Sequence, residues 1–295
     1  IIAGAQIGSI FGSSLPFFTK YLGGVWSLFL IASGFLILLI LTMQHFIRTI
    51  PKEQLIGNIE ASKTRGTKKE GLFEGFMGGL TLLFTRPYLF GVLIVSTFYE
   101  IAGTLVDYQM QSLADLSPYF SGEVGFANFQ AIYGISVNTL AFLMALLGTR
   151  RLIKILPLRA CLLIYPISFF TTIVGLFVYY HFWSPPMCNM LWATLGAMVC
   201  IKGLSYSINN PTKEMMYIPT SKDAKFKTKG WIDTFGNRMA KLGGARVSNV
   251  FKDNLNDLMV YGTALSLGVI GFWFLAAVYV GMRNQQLRKD GKIIK

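Results

Sequence analysis

The chain has 295 residues, 53% of them apolar and only 14% charged, with a net charge of +13 and a mean hydropathy of +0.51. Soluble domains carry about 25% charged residues, so this composition excludes a disordered chain, argues against a soluble globular one and points to a polytopic helical membrane protein. In a soluble protein the excess of cations would suggest nucleic acid, but here it is first weighed against the accumulation of Lys and Arg in cytoplasmic loops.

Residue 1 is Ile and no basic stretch precedes the first apolar run, so the chain is expected to be the later part of a longer protein. Apolar runs of about 18–26 residues then predict eight spans. The first, Ile1–Phe18, carries Gly4, Gly8 and Gly12 on one face, a spacing that favours close helix packing. The second is Val25–Ile47. A long connection, Arg48 to Arg86, is polar up to Gly71. Leu72, Phe73, Phe76, Met77, Leu80, Leu83 and Phe84 then recur at helical spacing, predicting an amphipathic helix on the cytoplasmic surface. The third to sixth spans are Pro87–Gln111, Val124–Thr149, Ala160–Phe182 and Met187–Pro211. The seventh, Gly230–Phe251, is polar for a membrane helix but has a small-residue face, Gly236, Ala240, Gly243 and Gly244. The eighth is Leu258–Met282.

Charge supports the seventh span. Arg48, Lys52, Lys63, Arg65, Lys68, Lys69 and Arg86 lie between the second and third spans. Arg150, Arg151, Lys154 and Arg159 follow the fourth, and Lys213, Lys222, Lys225, Lys227 and Lys229 follow the sixth. Arg283, Arg288, Lys289, Lys292 and Lys295 form the tail. These connections hold 21 of the 27 cations, and the alternate ones only Lys20 and Lys252. The asymmetry places the tail in the cytoplasm and needs the seventh span to do so. The net charge is then mostly topology, and no nucleic-acid partner is required.

Two spans, a long linker and six further spans match the later part of a major-facilitator-like helical bundle. The expected fold is thus an all-α membrane protein showing the last eight of twelve transmembrane helices. Residues 1–47 would close the N-terminal bundle, 48–86 form the linker, and 87–295 form the C-terminal six-helix bundle and tail.

Five of the eight spans contain no Asp, Glu, Lys or Arg. A charge at the bilayer centre costs about 2.5–3.5 kcal/mol on insertion scales, so those in the other three should face a water-filled cavity or a partner. In the third span, Glu100 and Asp107 are seven residues apart and share a face with Thr104, Tyr108 and Gln111. The sixth has Lys202, followed by Tyr206 and Asn209. The seventh has Asp233, Arg238, Lys241 and Arg246, with Asn237 one turn before Lys241. Glu100, Lys202 and Lys241 fall near mid-membrane, where secondary transporters bind substrate. Cations at several depths suit a polyanion such as a phosphate ester. The same charges could instead be ion pairs locking three helices together, for example Glu100 with Lys241, and Arg246 could snorkel to the interface.

Enzyme signatures are missing: GxxxxGK[ST], GxG, GxSxG and HExxH do not occur. His45 and His181 sit at span ends on opposite faces, and Cys161, Cys188 and Cys200 form no CxxC pair, so neither a metal nor a cofactor is expected. In a membrane helix the carboxylates of the third span serve as counter-charges or gates rather than as an acid–base pair.

The stretch Asn210 to Gly244, NPTKEMMYIPTSKDAKFKTKGWIDTFGNRMAKLGG, resembles the signature of the ATP/ADP translocase family of obligate intracellular bacteria and plastids. The first span, with GAQIGSIFGSS, resembles the family's fifth helix more loosely. The resemblance implies twelve helices and nucleotide exchange across a membrane. It also implies that Lys241, in GNRMAKLGG, matches the family's eleventh-helix lysine, and that Glu100, in TFYEIAGTLVDYQ, stands where the family has a seventh-helix glutamate. Charged residues of the family's first half have no counterpart in this sequence.

The expectation is a non-enzymatic secondary transporter that exchanges ATP for ADP by alternating access, in a bacterial inner membrane. Its partners would be the nucleotide, the bilayer and the missing N-terminal part of the same protein. The substrate-binding candidates are Lys241, Glu100, Lys202, Arg238, Asp107, Arg246, Tyr108 and Asn209. Lys241, Lys202 and Arg238 would hold phosphates, Glu100 and Asp107 would act as counter-charges, and Phe98, Tyr108 or Tyr133 would stack on the base. The alternatives are a facilitator for another organic phosphate or anion, proton-coupled or not, and a non-transporting membrane scaffold.

Overall fold

The computed structural model describes residues 2–49, 72–147, 156–251 and 254–294. Nine helices follow in order among them: α1 (Ile2–Ser14, extended by a 3-10 turn, Leu15–Phe18), α2 (Trp26–Thr49), α3 (Leu72–Thr85), α4 (Pro87–Leu116), α5 (Gly122–Leu147), α6 (Leu158–Trp183), α7 (Met187–Met216), α8 (222–250) and α9 (Leu255–Lys289). No strand occurs among the described residues; one isolated parallel bridge joins Thr220 to Ile294. Five helices, α2, α4, α6, α7 and α9, are long and apolar enough to cross a membrane. The basic residues Lys52, Lys63, Arg65, Lys68, Lys69, Arg150, Arg151, Lys154, Lys252 and Lys295 lie outside the described residues.

Helix α4 is the hub. It begins at Pro87, whose missing N–H costs nothing at a first helical position. There Tyr88 donates to the Met216 carbonyl at 2.6 Å and accepts from Asn284 of α9 at 2.7 Å. At its other end Gln109 donates to the Leu258 carbonyl at 3.0 Å. Between these clamps the fully buried Trp273 of α9 packs edge-on against Tyr165 and Phe169 of α6 and tilted against Tyr99 of α4, with centroids 5.2–6.3 Å apart. Aromatic pairs in these geometries add about 0.5–1.5 kcal/mol each beyond the burial of their surface.

Several boundaries differ from the expected ones: α4 runs on past Gln111 to Leu116 and α9 past Met282 to Lys289, and two further shifts bear on the site. The sixth span does not stop at Pro211 but continues to Met216. A proline inside a helix lacks an N–H and its ring clashes with the carbonyl four residues back. Here that carbonyl, on Ser207, lies in a widened π turn, Ser205–Asn209, which makes room for the ring. The next helix starts at Lys222, capped by the Ser221 hydroxyl accepting from the Ala224 amide at 3.2 Å, and not at Gly230. The connection between them is only residues 217–221. Lys213, expected in a cytoplasmic loop, is therefore inside α7. The ion pairs of Glu214 with Lys229 and, at 3.3 Å, with Lys225 fasten the end of α7 to the start of α8.

The small-residue faces have different fates. In α8 the Gly244 Cα lies so close to α4 that an added Cβ would sit 2.9 Å from the Ile101 carbonyl oxygen and from Thr104 Cβ. Gly236 similarly faces Thr97, so these two glycines pack as expected, whereas nothing lies within 4 Å of where a Cβ would stand on Gly243. In α1 nothing lies within 4 Å of where a Cβ would stand on Gly4, Gly8 or Gly12. That helix packs through another face, with Ser13 against Gly134 and Asn138 of α5, because a glycine pattern marks a smooth surface and not its partner. The amphipathic helix forms as α3, and Phe76 docks on Trp231 and Phe235 of α8 at 6.2 and 4.7 Å.

Candidate functional site

Three helices contribute to one cleft of about 460 Å³, lined by Glu100, Gly103, Thr104 and Asp107 of α4, Lys202 of α7, and Arg238, Lys241, Leu242 and Ala245 of α8. Five of the eight residues singled out from the sequence, Glu100, Asp107, Lys202, Arg238 and Lys241, thus share a wall. Glycine and threonine between the α4 carboxylates leave space, and Gly244 lets α8 approach closely enough for Lys241 to face Glu100.

The cleft presents three cations against two carboxylates. The Lys241 ammonium stands 3.7 Å from Glu100 Oε2, longer than a hydrogen bond. Its side chain is 59% exposed whereas that of Glu100 is 12% exposed. The other oxygen of Glu100 accepts from the Tyr99 hydroxyl at 2.5 Å, and the Thr104 hydroxyl donates to the Glu100 backbone carbonyl at 2.7 Å. Glu100 is thus anchored and Lys241 is loosely held, so an incoming oxyanion can take the lysine without dismantling α4. Asp107 accepts from the Gln111 amide at 2.8 Å and lies in the field of Lys202 and Lys241.

The remaining three candidates do not line the cleft. Arg246 is exposed further along α8, Tyr108 is half-buried one position past Asp107, and Asn209 is buried in the π turn of α7. Among the described residues the Asn209 Nδ2 has no hydrogen-bond partner, and neither has Oδ1 of the half-buried Asn237. Asn237 directly follows a second π turn, Ile232–Gly236 of α8. Such turns concentrate at functional sites; one follows Lys202 within a turn and the other ends two residues before Arg238. Of the proposed stacking residues, Phe98 and Tyr133 pack against the core. Tyr206, 46% exposed in the α7 π turn, is the more open ring.

Sequence reasoning missed Lys213 and Tyr99. The Lys213 ammonium donates to the Ser96 carbonyl at 3.3 Å and lies 3.8 Å above the Tyr99 ring, with Glu100 and Asp233 as the carboxylates acting on it. A chain of contacts, Lys241–Glu100–Tyr99–Lys213, therefore runs from the cleft into the bundle. The signal available was Pro211 in an otherwise unbroken helical pattern, which reads as a stop where the helix in fact runs on.

A family model described as TLC ATP/ADP transporter matches residues 1–283. ADP,ATP carrier protein 1 of Rickettsia prowazekii (strain Madrid E) is 25% identical over 234 residues, covering 75% of this chain and 45% of that protein. ADP,ATP carrier protein 1, chloroplastic, of Arabidopsis thaliana is 28% identical over 251 residues, covering 77% and 38%. The plastidic ATP/ADP-transporter of Solanum tuberosum is 28% identical over 233 residues, covering 74% and 36%. The chain thus spans less than half the length of these relatives. No solved structure matches it.

Proposed function

The chain belongs to the TLC ATP/ADP transporter family, and from that premise we propose that it is the C-terminal part of a carrier exchanging ATP for ADP by alternating access. Residues 1–47 complete an N-terminal bundle, 48–86 link the halves, and 87–295 form a six-helix, major-facilitator-like bundle with its tail in the cytoplasm. Adding α1, α5 and α8 to the five long apolar helices gives eight spans.

The carrying observation is the convergence of Lys241, Lys202 and Arg238 on one cleft with Glu100 and Asp107 beside them. Phosphates would displace Glu100 from Lys241, and the carboxylates would recover the cations on release. A nucleotide polyphosphate is favoured over a small anion because three cations from two helices, Lys202, Arg238 and Lys241, line one cleft. Arg246, Tyr108 and Asn209 would join only in another conformation or with the N-terminal half present.

Lys241→Ala in the full-length carrier is expected to weaken nucleotide binding at least tenfold, about 1.4 kcal/mol or more, measured with labelled ATP in detergent. The 3.7 Å pair with Glu100 favours a second reading, in which Lys241 is a strut. The double change Lys241→Ala with Glu100→Ala separates the two. A folded double variant exchanging nucleotide at the original rate would establish the strut; binding that stays lost would establish the ligand. For topology, single cysteines at Lys225 and Ser121 are expected to label from opposite sides of the membrane. Labelling of both from one side would mean that α5, α6 and α7 do not all cross, and would sink the facilitator layout.

A further inference from the structure

A second cavity, of about 500 Å³, opens at the opposite end of α4 from Gln109 and is lined by Arg86, Pro87, Tyr88, Tyr279, Arg283, Leu287, Lys292, Ile293 and Ile294. It is built. The floor is Tyr88, fixed by the Met216 carbonyl and the Asn284 amide. One wall is the tail, held where the Ser221 amide donates to the Ile294 carbonyl at 2.8 Å and the Ile294 amide to the Pro219 carbonyl at 2.9 Å.

The lining holds three cations and no carboxylate. Arg283 donates to the neutral Gln286, and among the described residues only Lys292 of these three has an acidic neighbour in ion-pair reach, Asp290 at 3.7 Å. Helix α4 also starts here with no acidic residue in its first turn, so its positive end adds to the field. An anion with several oxygens fits two arginines and a lysine around a mouth of this kind.

The surface leading away from the mouth selects among anions. On α9, Phe272, Leu275, Tyr279 and Arg283 stand at i, i+3, i+7 and i+11, which at 100° per residue lie along one side of the helix. Phe272, Leu275 and Tyr279 are 69%, 64% and 39% exposed. The apolar part of α9 ends at Met282, so Arg283 stands where hydrocarbon meets headgroups. A charged cavity continuous with an apolar stripe matches an amphiphile and not a free ion.

We infer that this cavity binds the phosphate of an anionic phospholipid, with Arg86 and Arg283 gripping it and the acyl chain lying along Tyr279, Leu275 and Phe272. The inference requires α9 to cross the membrane but is independent of nucleotide exchange.

The test is native mass spectrometry of the detergent-purified chain titrated with short-chain phosphatidylglycerol or phosphatidylcholine, with inorganic phosphate and ADP as competitors. One phosphatidylglycerol should bind at least tenfold more tightly than phosphatidylcholine. Arg86→Gln with Arg283→Gln should remove that preference, whereas Arg159→Gln with Arg288→Gln, on the far side of α9, should keep it. Millimolar phosphate and ADP should fail to displace the lipid. Equal binding of both lipids, an unaltered preference in the Arg86/Arg283 variant, or displacement by phosphate or ADP would overturn the proposal. Should that variant not fold, a photoactivatable phosphatidylglycerol on the unmodified chain decides: adducts on residues 84–90 or 279–294 support the site, and their absence there overturns it.

Discussion

The two sides of α4 use the same residue types for opposite purposes. On the cleft side, Glu100 and Asp107 meet Lys202, Lys241 and Arg238 across open space, and Lys241 and Leu242 are more than half exposed. On the other side, one position away, Tyr99 enters a cluster with Tyr165, Phe169 and Trp273 that is closed to solvent at its centre. A single step along one helix, about 100° of rotation, thus separates a region whose packing is dense enough to fix α4 from one where charge is left unsatisfied. Rigidity beneath the cleft holds Glu100 in place while Lys241 stays free to change partner.

The largest effect that would sharpen this contrast is a truncation on each side. Trp273→Ala removes the centre of the aromatic cluster and is expected to cost about 3–5 kcal/mol, read as loss of folded protein in a detergent melt. Leu242→Ala, on the open cleft wall, is expected to change stability by less than about 0.5 kcal/mol. Equal losses would mean that the cleft wall is as tightly packed as the core.

A smaller effect comes from neighbouring glycines on α8. Gly244→Ala would push a methyl against the Ile101 carbonyl and the branched Thr104, neither able to move freely, and should destabilise by about 1–3 kcal/mol. Gly243→Ala meets nothing within 4 Å and should stabilise by up to about 1 kcal/mol through helix propensity. The opposite signs, measured as shifts in melting midpoint, would locate the α4–α8 contact to one face. Two shifts of the same sign would remove it.

Much of this arrangement is legible in the sequence because the bilayer imposes a coarse length and polarity rule. The apolar runs of α2, α4, α6, α7 and α9 stand out, and seven-residue spacing suffices to put Glu100 and Asp107 on one wall. The convergence of Lys202, Lys241 and Arg238 is anticipated by the cost of isolated charge in apolar surroundings. What fails is anything decided by a partner helix. Gly4, Gly8 and Gly12 are unoccupied while Gly244 is tightly covered, though both patterns read alike. Pro211 hides the last turn of α7 because a π turn, Ser205–Asn209, has no sequence code as plain as a cap. Lys213 therefore reads as a loop residue in the sequence, and nothing in the sequence gives the hydroxyl of Tyr99 its target on Glu100.

Lys213 yields the smallest expected change in stability and the sharpest test of the contrast. Its ammonium has three N–H donors and is given one carbonyl, at 3.3 Å, and one ring face; no carboxylate lies within ion-pair distance among the described residues. A charge so poorly compensated inside a bundle is expensive, and replacing buried ionic groups by apolar ones of similar volume is often neutral or stabilising. Lys213→Met should therefore leave the melting midpoint unchanged or raise it, within about 1 kcal/mol. Ionisable groups kept inside a membrane protein at such cost are functional by default. Because Lys213 reaches the cleft only through Tyr99 and Glu100, its loss should spare equilibrium nucleotide affinity to within about threefold. It should lower the exchange rate of the full-length carrier at least tenfold, since Glu100 would lose the cation that stands behind it when Lys241 turns to substrate. Lys241→Ala should show the reverse emphasis, with affinity falling first. If Lys213→Met melts markedly earlier, the lysine is a strut of the packed side. If it weakens binding as much as Lys241→Ala does, the two sides of α4 are one site and the contrast fails.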